Sequence, residues 1–219
     1  MYRNKIKEYL PLYLVIDRAS CQNKDMFFVL EQAIKGGVTI VQLREKEISA
    51  REFVELAIKT KDFLSKFNVP LIINDRIDVA LASNADGVHV GQEDIHPNYV
   101  REIVGDDLII GLSVNNEEHV KEANKLDIDY VGIGPVFKTM TKKDPKPTLY
   151  PHGLKRLLKL IQKPSVAIGG INIENCKEVV KTGVNGIAVV SAICKHNDPF
   201  LAAKKLKICI NHHHLKLSI

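Results

Sequence analysis

The sequence is short of several things, and each shortage removes a class of protein. It has four cysteines, Cys21, Cys176, Cys194 and Cys209. None forms a C-x-x-C pair and none has a histidine at metal-ligand spacing in a turn-rich context. They read as reduced core or surface thiols, not as a disulfide framework or a zinc site. No apolar run approaches the ~20 residues that span a bilayer. The N-terminal "MYRNKIKEYLPLYLVID" lacks the apolar segment and small-residue cleavage site of a signal peptide. A soluble, cytoplasmic protein with no membrane partner is therefore expected. Excess charge is also slight, at net +5 with the lysines dispersed. Nucleic acid is not the expected partner, and a pocket for an anionic small molecule fits that balance. No Ser-His-Asp or Cys-His constellation supplies a nucleophile, and no linker or low-complexity tract marks a second domain.

What is present is ordinary globular material with a regular plan. The 219 residues, 45% apolar and 26% charged, suit one large domain with a sizeable core. Short Val/Ile-rich runs recur at 12–17, 38–43, 70–74, 86–90, 108–113, 129–134, 165–170 and 186–191. They show little strict alternation, as strands buried on both faces do. Amphipathic stretches separate them. In 49–66, Phe53, Val54, Ala57, Ile58 and Phe63–Leu64 fall on one helix face, and Ser49 with Glu52 forms a capping-box pattern. "NIENCKEVVKTG" ends in Gly183, a helix C-cap signal. Eight strands and about eight helices in βα order leave an open doubly wound sheet or a closed (β/α)8 barrel, and the compact length favours the barrel. One domain over 1–219 is expected, with an N-terminal extension at 1–11 and a tail at 211–219. The "NHHHLKLSI" ending reads as frayed.

In a barrel, chemistry sits at the C-terminal ends of the strands, and the polar residues concentrate there. Gln42, Arg44 and Lys46 follow strand two, and Asn74 and Asp75 follow strand three. Gln92, Glu93 and Asp94 follow strand four, and Ser113 ends strand five. Strand six runs into Gly134–Pro135 and then a segment carrying Lys138, Thr139, Thr141, Lys142 and Lys143. Strand seven ends in Gly169–Gly170, and strand eight in Val190–Ser191. Arg44, Lys46 and Lys142, with Thr139, Thr141 and the amides around Gly169–Gly170 and Val190–Ser191, resemble a cradle for phosphate oxygens. Asp75 and Asp94 would repel those phosphates unless a divalent cation, Mg2+ by its preference for oxygen, lies between them. The stretch 136–151 has neither helix nor strand character and reads as a binding loop or lid. Competing readings exist for single residues: Asp75 as a helix N-cap, Arg44 and Lys46 paired with Glu45 and Glu47, His89 as a hydrogen-bonded core residue.

"VQLREK", "IINDRIDVALASNADGVHVGQEDI", "YVGIGPVFKTMTKKD", "AIGGI" and "VVSAI", in that order, resemble the thiamine phosphate synthase family from about residue 12 to 207. The resemblance implies a (β/α)8 barrel and a Mg2+-dependent transferase. Such an enzyme joins a hydroxymethylpyrimidine pyrophosphate to a thiazole phosphate and releases pyrophosphate. It implies that Gln42, Arg44, Lys46 and Asn74 contact the pyrimidine diphosphate, that Asp75 and Asp94 bind Mg2+, and that Ser113 and Lys142 meet the diphosphate and the reacting centre. Thr139, Thr141, Gly170, Val190 and Ser191 would hold the thiazole phosphate. The sequence departs from the family's usual residues at Val114, Asn115 and Asn116, at Met140, and in "PKPTLYPHG". Two other functions share the fold: a thiazole tautomerase-like isomerase using a histidine, and a non-catalytic barrel that senses thiamine precursors. An isomerase that releases no pyrophosphate has little use for both aspartates. A homo-oligomer is compatible with the sequence.

Overall fold

The computed structural model describes residues 2–139 and 147–214. Eight parallel strands close in sequential order, β1 (Leu12–Ile16), β2 (Ile40–Leu43), β3 (Leu71–Asn74), β4 (Gly87–Val90), β5 (Ile109–Val114), β6 (Tyr130–Ile133), β7 (Ser165–Ile168) and β8 (Gly186–Val189), with β8 returning to β1. The closed barrel, not the open sheet, is the architecture. Seven of the eight apolar runs hold one strand each within their bounds; β5 runs one residue past its run, to Val114.

Helices are more numerous than the pattern suggested. Among the described residues they are α1 (Ile6–Tyr9), α2 (Met26–Lys35), α3 (Ala50–Ser65), α4 (Ile77–Ala82), α5 (Pro97–Val104), α6 (Glu117–Lys125), α7 (Tyr150–Leu158), α8 (Cys176–Val180), α9 (Ser191–Cys194) and α10 (Pro199–His214), with 3-10 turns at Arg3–Lys5 and Ala19–Cys21. The Ser49–Glu52 capping box opens α3. Two expectations are corrected. Helix α8 ends at Val180 and is capped by Lys181, with Gly183 beyond it at φ +91°. Helix α10 runs through His214, into the stretch expected to fray; residues 215–219 lie outside the described residues.

The core has two parts. One lies between the barrel and its helices and includes Leu14, Leu43, Ile73, Val131 and Ile187. The other fills the barrel itself: Tyr13, Val15, Ile40, Ile72, Ile109, Tyr130, Val166 and Ala188. Ile6 and Leu10 join the inner cluster. The N-terminal extension therefore plugs the barrel's lower end. Cys21, Cys176 and Cys194 are buried free thiols and Cys209 is half-buried.

One polar side chain stands before every second strand. Thr39, Asp86, Asp129 and Asn185 each precede an even-numbered strand. Each accepts a backbone N–H at the start of the preceding odd strand: Leu12 at 3.1 Å, Leu71 at 2.8 Å, Ile110 at 2.7 Å and Ser165 at 2.8 Å. Each (βα)2 quarter is thus pinned at its lower edge by one polar side chain. Asp129, whose side chain is only 7% exposed, also accepts from Arg3 at 2.6 Å and Arg101 at 3.0 Å. Asp129→Asn is expected to cost about 2 kcal/mol, the range for hydrogen bonds to a charged group, read as a lower denaturation midpoint with unchanged slope.

Candidate active site

Inward-facing residues alternate along each strand, and the upper ones open into a cavity of about 420 Å3 at the C-terminal mouth. Gln42, Arg44, Lys46, Asn74, Asp75, Asp94, Ser113, Thr139, Gly169, Gly170, Val190 and Ser191 all line it. Thr141 and Lys142, with Met140 and Lys143, lie outside the described residues. Every expected site residue that is described therefore comes to one cavity.

The carboxylates occupy the β3–β4 side. Asp75 adopts a left-handed φ of +60° in the turn after β3, and its side chain takes the Lys46 ammonium. It is not a helix cap: α4 is capped by Arg76, which pairs with Asp78. Lys46 does not take Glu45 as its partner, since Glu45 pairs with Arg18 at 3.4 Å. Asp94 accepts the Gly91 N–H at 2.7 Å. Burial raises the Asp94 carboxyl above its usual range. The Gly91 N–H opposes that shift, the neighbouring Asp75 carboxylate reinforces it, and Lys46 partly offsets it. Two neighbouring carboxylates backed by one ammonium are the donor chemistry of a hard divalent cation.

Among the described residues, the cavity wall at the ends of β7 and β8 carries no charged side chain. In the closed strand order β7 and β8 stand across the barrel from β3 and β4. Gly169 and Gly170 have φ of +105° and +63°. A Cβ at Gly169 would lie 2.6 Å from the Pro135 Cα, and one at Gly170 2.6 Å from the Lys138 carbonyl oxygen. These glycines therefore admit the chain leaving β6 as well as lining the cavity. Val190 caps α9, which opens at Ser191.

The stretch 136–151 is not structureless at its ends. Val136 and Phe137 donate to the carbonyls of Ile168 and Gly169, and Leu149 and Tyr150 donate back to Pro135 and Val136, all at 2.8–2.9 Å. Asn115 bridges the same two limbs, donating to the Gly134 carbonyl at 3.1 Å and the Pro147 carbonyl at 3.2 Å. The middle of the loop, 140–146, is outside the described residues.

The sequence did not disclose the cavity floor. His89 is a hydrogen-bonded interior residue, as its strand position suggested, but it also lines the cavity together with Tyr13. Its Nδ1 lies 2.9 Å from the Tyr130 hydroxyl and its Nε2 2.9 Å from Ser113 Oγ. The Tyr130 hydroxyl meets that of Tyr13 at 2.8 Å, and Gln42 Nε2 donates to Tyr13 at 2.8 Å. Burial pushes both phenols up, so both remain protonated at working pH. The inward parity of Tyr13, His89 and Tyr130 was available from strand alternation; their mutual contact was not.

Together these features define a class: a closed parallel (β/α)8 barrel whose mouth carries a cation–carboxylate cluster facing a glycine-lined helix start. The family model for thiamine monophosphate synthase matches residues 12–193. A thiamine-phosphate synthase of Clostridium novyi (strain NT) is 51% identical over 195 residues, covering 89% of this chain and 96% of the relative. That of Desulfitobacterium hafniense (strain Y51) is 46% identical over 195 residues, covering 89% and 94%. The solved thiamine phosphate pyrophosphorylase of Pyrococcus furiosus superposes with a TM-score of 0.87 at 36% identity, covering 95% of this chain and 98% of that one. A 3-hexulose-6-phosphate synthase from Salmonella typhimurium, at 17% identity and TM-score 0.72, shares the fold. The chain belongs to the thiamine monophosphate synthase family.

Proposed function

We infer that this protein is a thiamine-phosphate synthase. It is a transferase that joins 4-amino-2-methyl-5-hydroxymethylpyrimidine pyrophosphate to 4-methyl-5-(2-hydroxyethyl)thiazole phosphate, giving thiamine phosphate and pyrophosphate. The observation that carries the reading is a cavity lined by a lysine–carboxylate cluster on one wall and a glycine-flanked helix start on the other, within a chain about half identical to thiamine-phosphate synthases along nearly its whole length.

The chemistry asks the protein for alignment and charge. A diphosphate leaves a benzylic-type carbon, the pyrimidine stabilises the cation, and the thiazole nitrogen attacks. No protein nucleophile is needed. Mg2+ would be held by Asp75 and Asp94, and it would supply positive charge to neutralise the leaving group. Lys46, Arg44 and Ser113 stand on the same side to meet the diphosphate, with Lys142 assigned there by the family motif. Gln42 and Asn74 contact the pyrimidine. Thr139, Thr141, Gly169, Gly170, Val190 and Ser191 hold the thiazole phosphate across the cavity. Bringing the two reactants together on a rigid frame supplies much of the acceleration, and fixed cations aimed at the departing diphosphate supply the rest.

Among the described residues no helix is long and apolar enough to cross a membrane. The expected setting is the cytoplasm, with two small-molecule substrates and neither nucleic acid nor membrane as partner. Mixing both substrates with the protein should release pyrophosphate and form thiamine phosphate, with release lost on chelation of Mg2+. Consumption of a thiazole phosphate tautomer without pyrophosphate release would favour the isomerase instead, and binding of both substrates with no turnover would favour a sensor.

A further inference from the structure

We propose that Tyr13, Tyr130 and His89 are positioning residues that couple Gln42 to Ser113 through a one-way hydrogen-bond chain, so that a donor group held by Gln42 turns Ser113 into a hydrogen-bond donor toward the departing diphosphate. The inference rests on the synthase reading and deepens it. It links recognition of the amino-pyrimidine at one end of the substrate to stabilisation of the leaving group at the other.

The argument is a count of hydrogens. Four contacts join Gln42, Tyr13, Tyr130, His89 and Ser113, at 2.8, 2.8, 2.9 and 2.9 Å. Each phenol has one hydrogen, and a neutral imidazole has one donor and one acceptor nitrogen. Tyr13 and Tyr130 are 1% and 0% exposed, so a hydroxyl hydrogen pointing out of the chain would be buried without a partner. With His89 as a neutral imidazole the chain runs wholly in one sense or wholly in the other, and an imidazolium, protonated at both nitrogens, would overturn it. With Gln42 Nε2 donating to Tyr13, Tyr13 donates to Tyr130, Tyr130 donates to His89 Nδ1, and His89 Nε2–H donates to Ser113. The Gln42 carbonyl and the Ser113 hydrogen are then left for the cavity. In the reverse sense Gln42 offers amide hydrogens to the cavity, and Ser113 spends its hydrogen on His89 and presents lone pairs to an anion. An exocyclic amine at Gln42 selects the first sense, which is also the sense the diphosphate needs.

The barrel makes room for this chain. A Cβ at Gly111 would stand 2.3 Å from Tyr130 Cζ and 2.4 Å from His89 Nδ1, and one at Gly132 would stand 3.1 Å from His89 Cε1. Two inward-facing glycines on β5 and β6 leave the space that the two rings fill.

Nitrogen-15 NMR of the imidazole in the ligand-free protein reads the sense directly. The wild type should show His89 protonated at Nε2. Gln42→Glu, whose carboxylate only accepts, should reverse the chain and move the proton to Nδ1. An unchanged tautomer would overturn the coupling, and neither outcome depends on the assigned activity. Single-turnover pyrophosphate release supplies the second arm. Tyr130→Phe should slow release about 10-fold and Ser113→Ala about 100-fold, with little change in KM. The double variant should match Ser113→Ala within about 2-fold, because both remove the same interaction. Multiplied effects would mean that Tyr130 acts only structurally. If the wild type released no pyrophosphate while the Gln42→Glu tautomer still switched, the activity would be wrong and the chain right.

Discussion

Asp94→Asn is expected to lower turnover by about 1,000-fold while making the metal-free protein slightly more stable. The two effects have one origin. Asp94 sits beside Asp75, and its carboxyl is raised by burial and by that neighbouring charge. A carboxyl whose folded-state pKa lies above its unfolded one contributes stability only at low pH and loses that contribution as pH rises through the folded value. At neutral pH the charge is therefore a burden on the empty site, and a neutral amide, which can still accept the Gly91 N–H, relieves it. Asp94 as a whole is exposed and its carboxyl only partly desolvated against the cavity wall, so solvent screens most of the repulsion, and the metal-free variant should melt only about 1–2 °C higher. The difference should vanish once the pH falls below the carboxylate range. Added Mg2+ with pyrophosphate should raise the melting temperature of the wild type and leave the variant where it was. A variant that turns over normally, or one that melts several degrees lower without metal, would contradict this placement of the cation.

Gly111→Ala should damage both fold and catalysis. The added methyl meets the Tyr130 ring at 2.3 Å and His89 Nδ1 at 2.4 Å. Both rings are walled in by the barrel, so neither can swing away cheaply. Overpacking of this kind costs about 3 kcal/mol, a fall in melting temperature of roughly 6–12 °C for a chain of this size. Displacing His89 also removes its bond to Ser113, so the folded fraction should turn over about 100-fold more slowly, by the estimate that removing one well-aimed donor carries. Thermal melts and turnover of the folded fraction check the two parts separately. Gly183→Ala is the useful contrast. Nothing lies within 4 Å of that added carbon, and its cost should be confined to backbone strain at φ +91°.

Much of the barrel was legible because its strands are buried on both faces and so read as unbroken apolar runs. The rim was legible for a related reason: polar residues that interrupt such runs at their C-terminal ends all fall on one mouth. The Ser49–Glu52 cap was readable because both partners lie within one helical turn. What could not be read is what depends on distant partners. Tyr13 and Tyr130 meet across 117 residues, and His89 and Tyr130 across 41; a single sequence gives the inward parity of each but not the pairing. The same holds for Asp75, where cap and rim readings differ only by a left-handed φ and the approach of Lys46. The plugging of the barrel by Ile6 and Leu10, and the stitching of Val136 and Phe137 to the end of β7, are likewise tertiary events with no local signature.

The central claim is that Asp75 and Asp94 hold a divalent cation that in turn holds the diphosphate. Calorimetric titration of pyrophosphate into the protein, with and without Mg2+, tests it most directly. Binding to the wild type should tighten at least about 10-fold when Mg2+ is present, the effect of about 1.4 kcal/mol of added interaction, and Asp75→Asn should show no such dependence. Equal affinity with and without the metal in the wild type would contradict the claim.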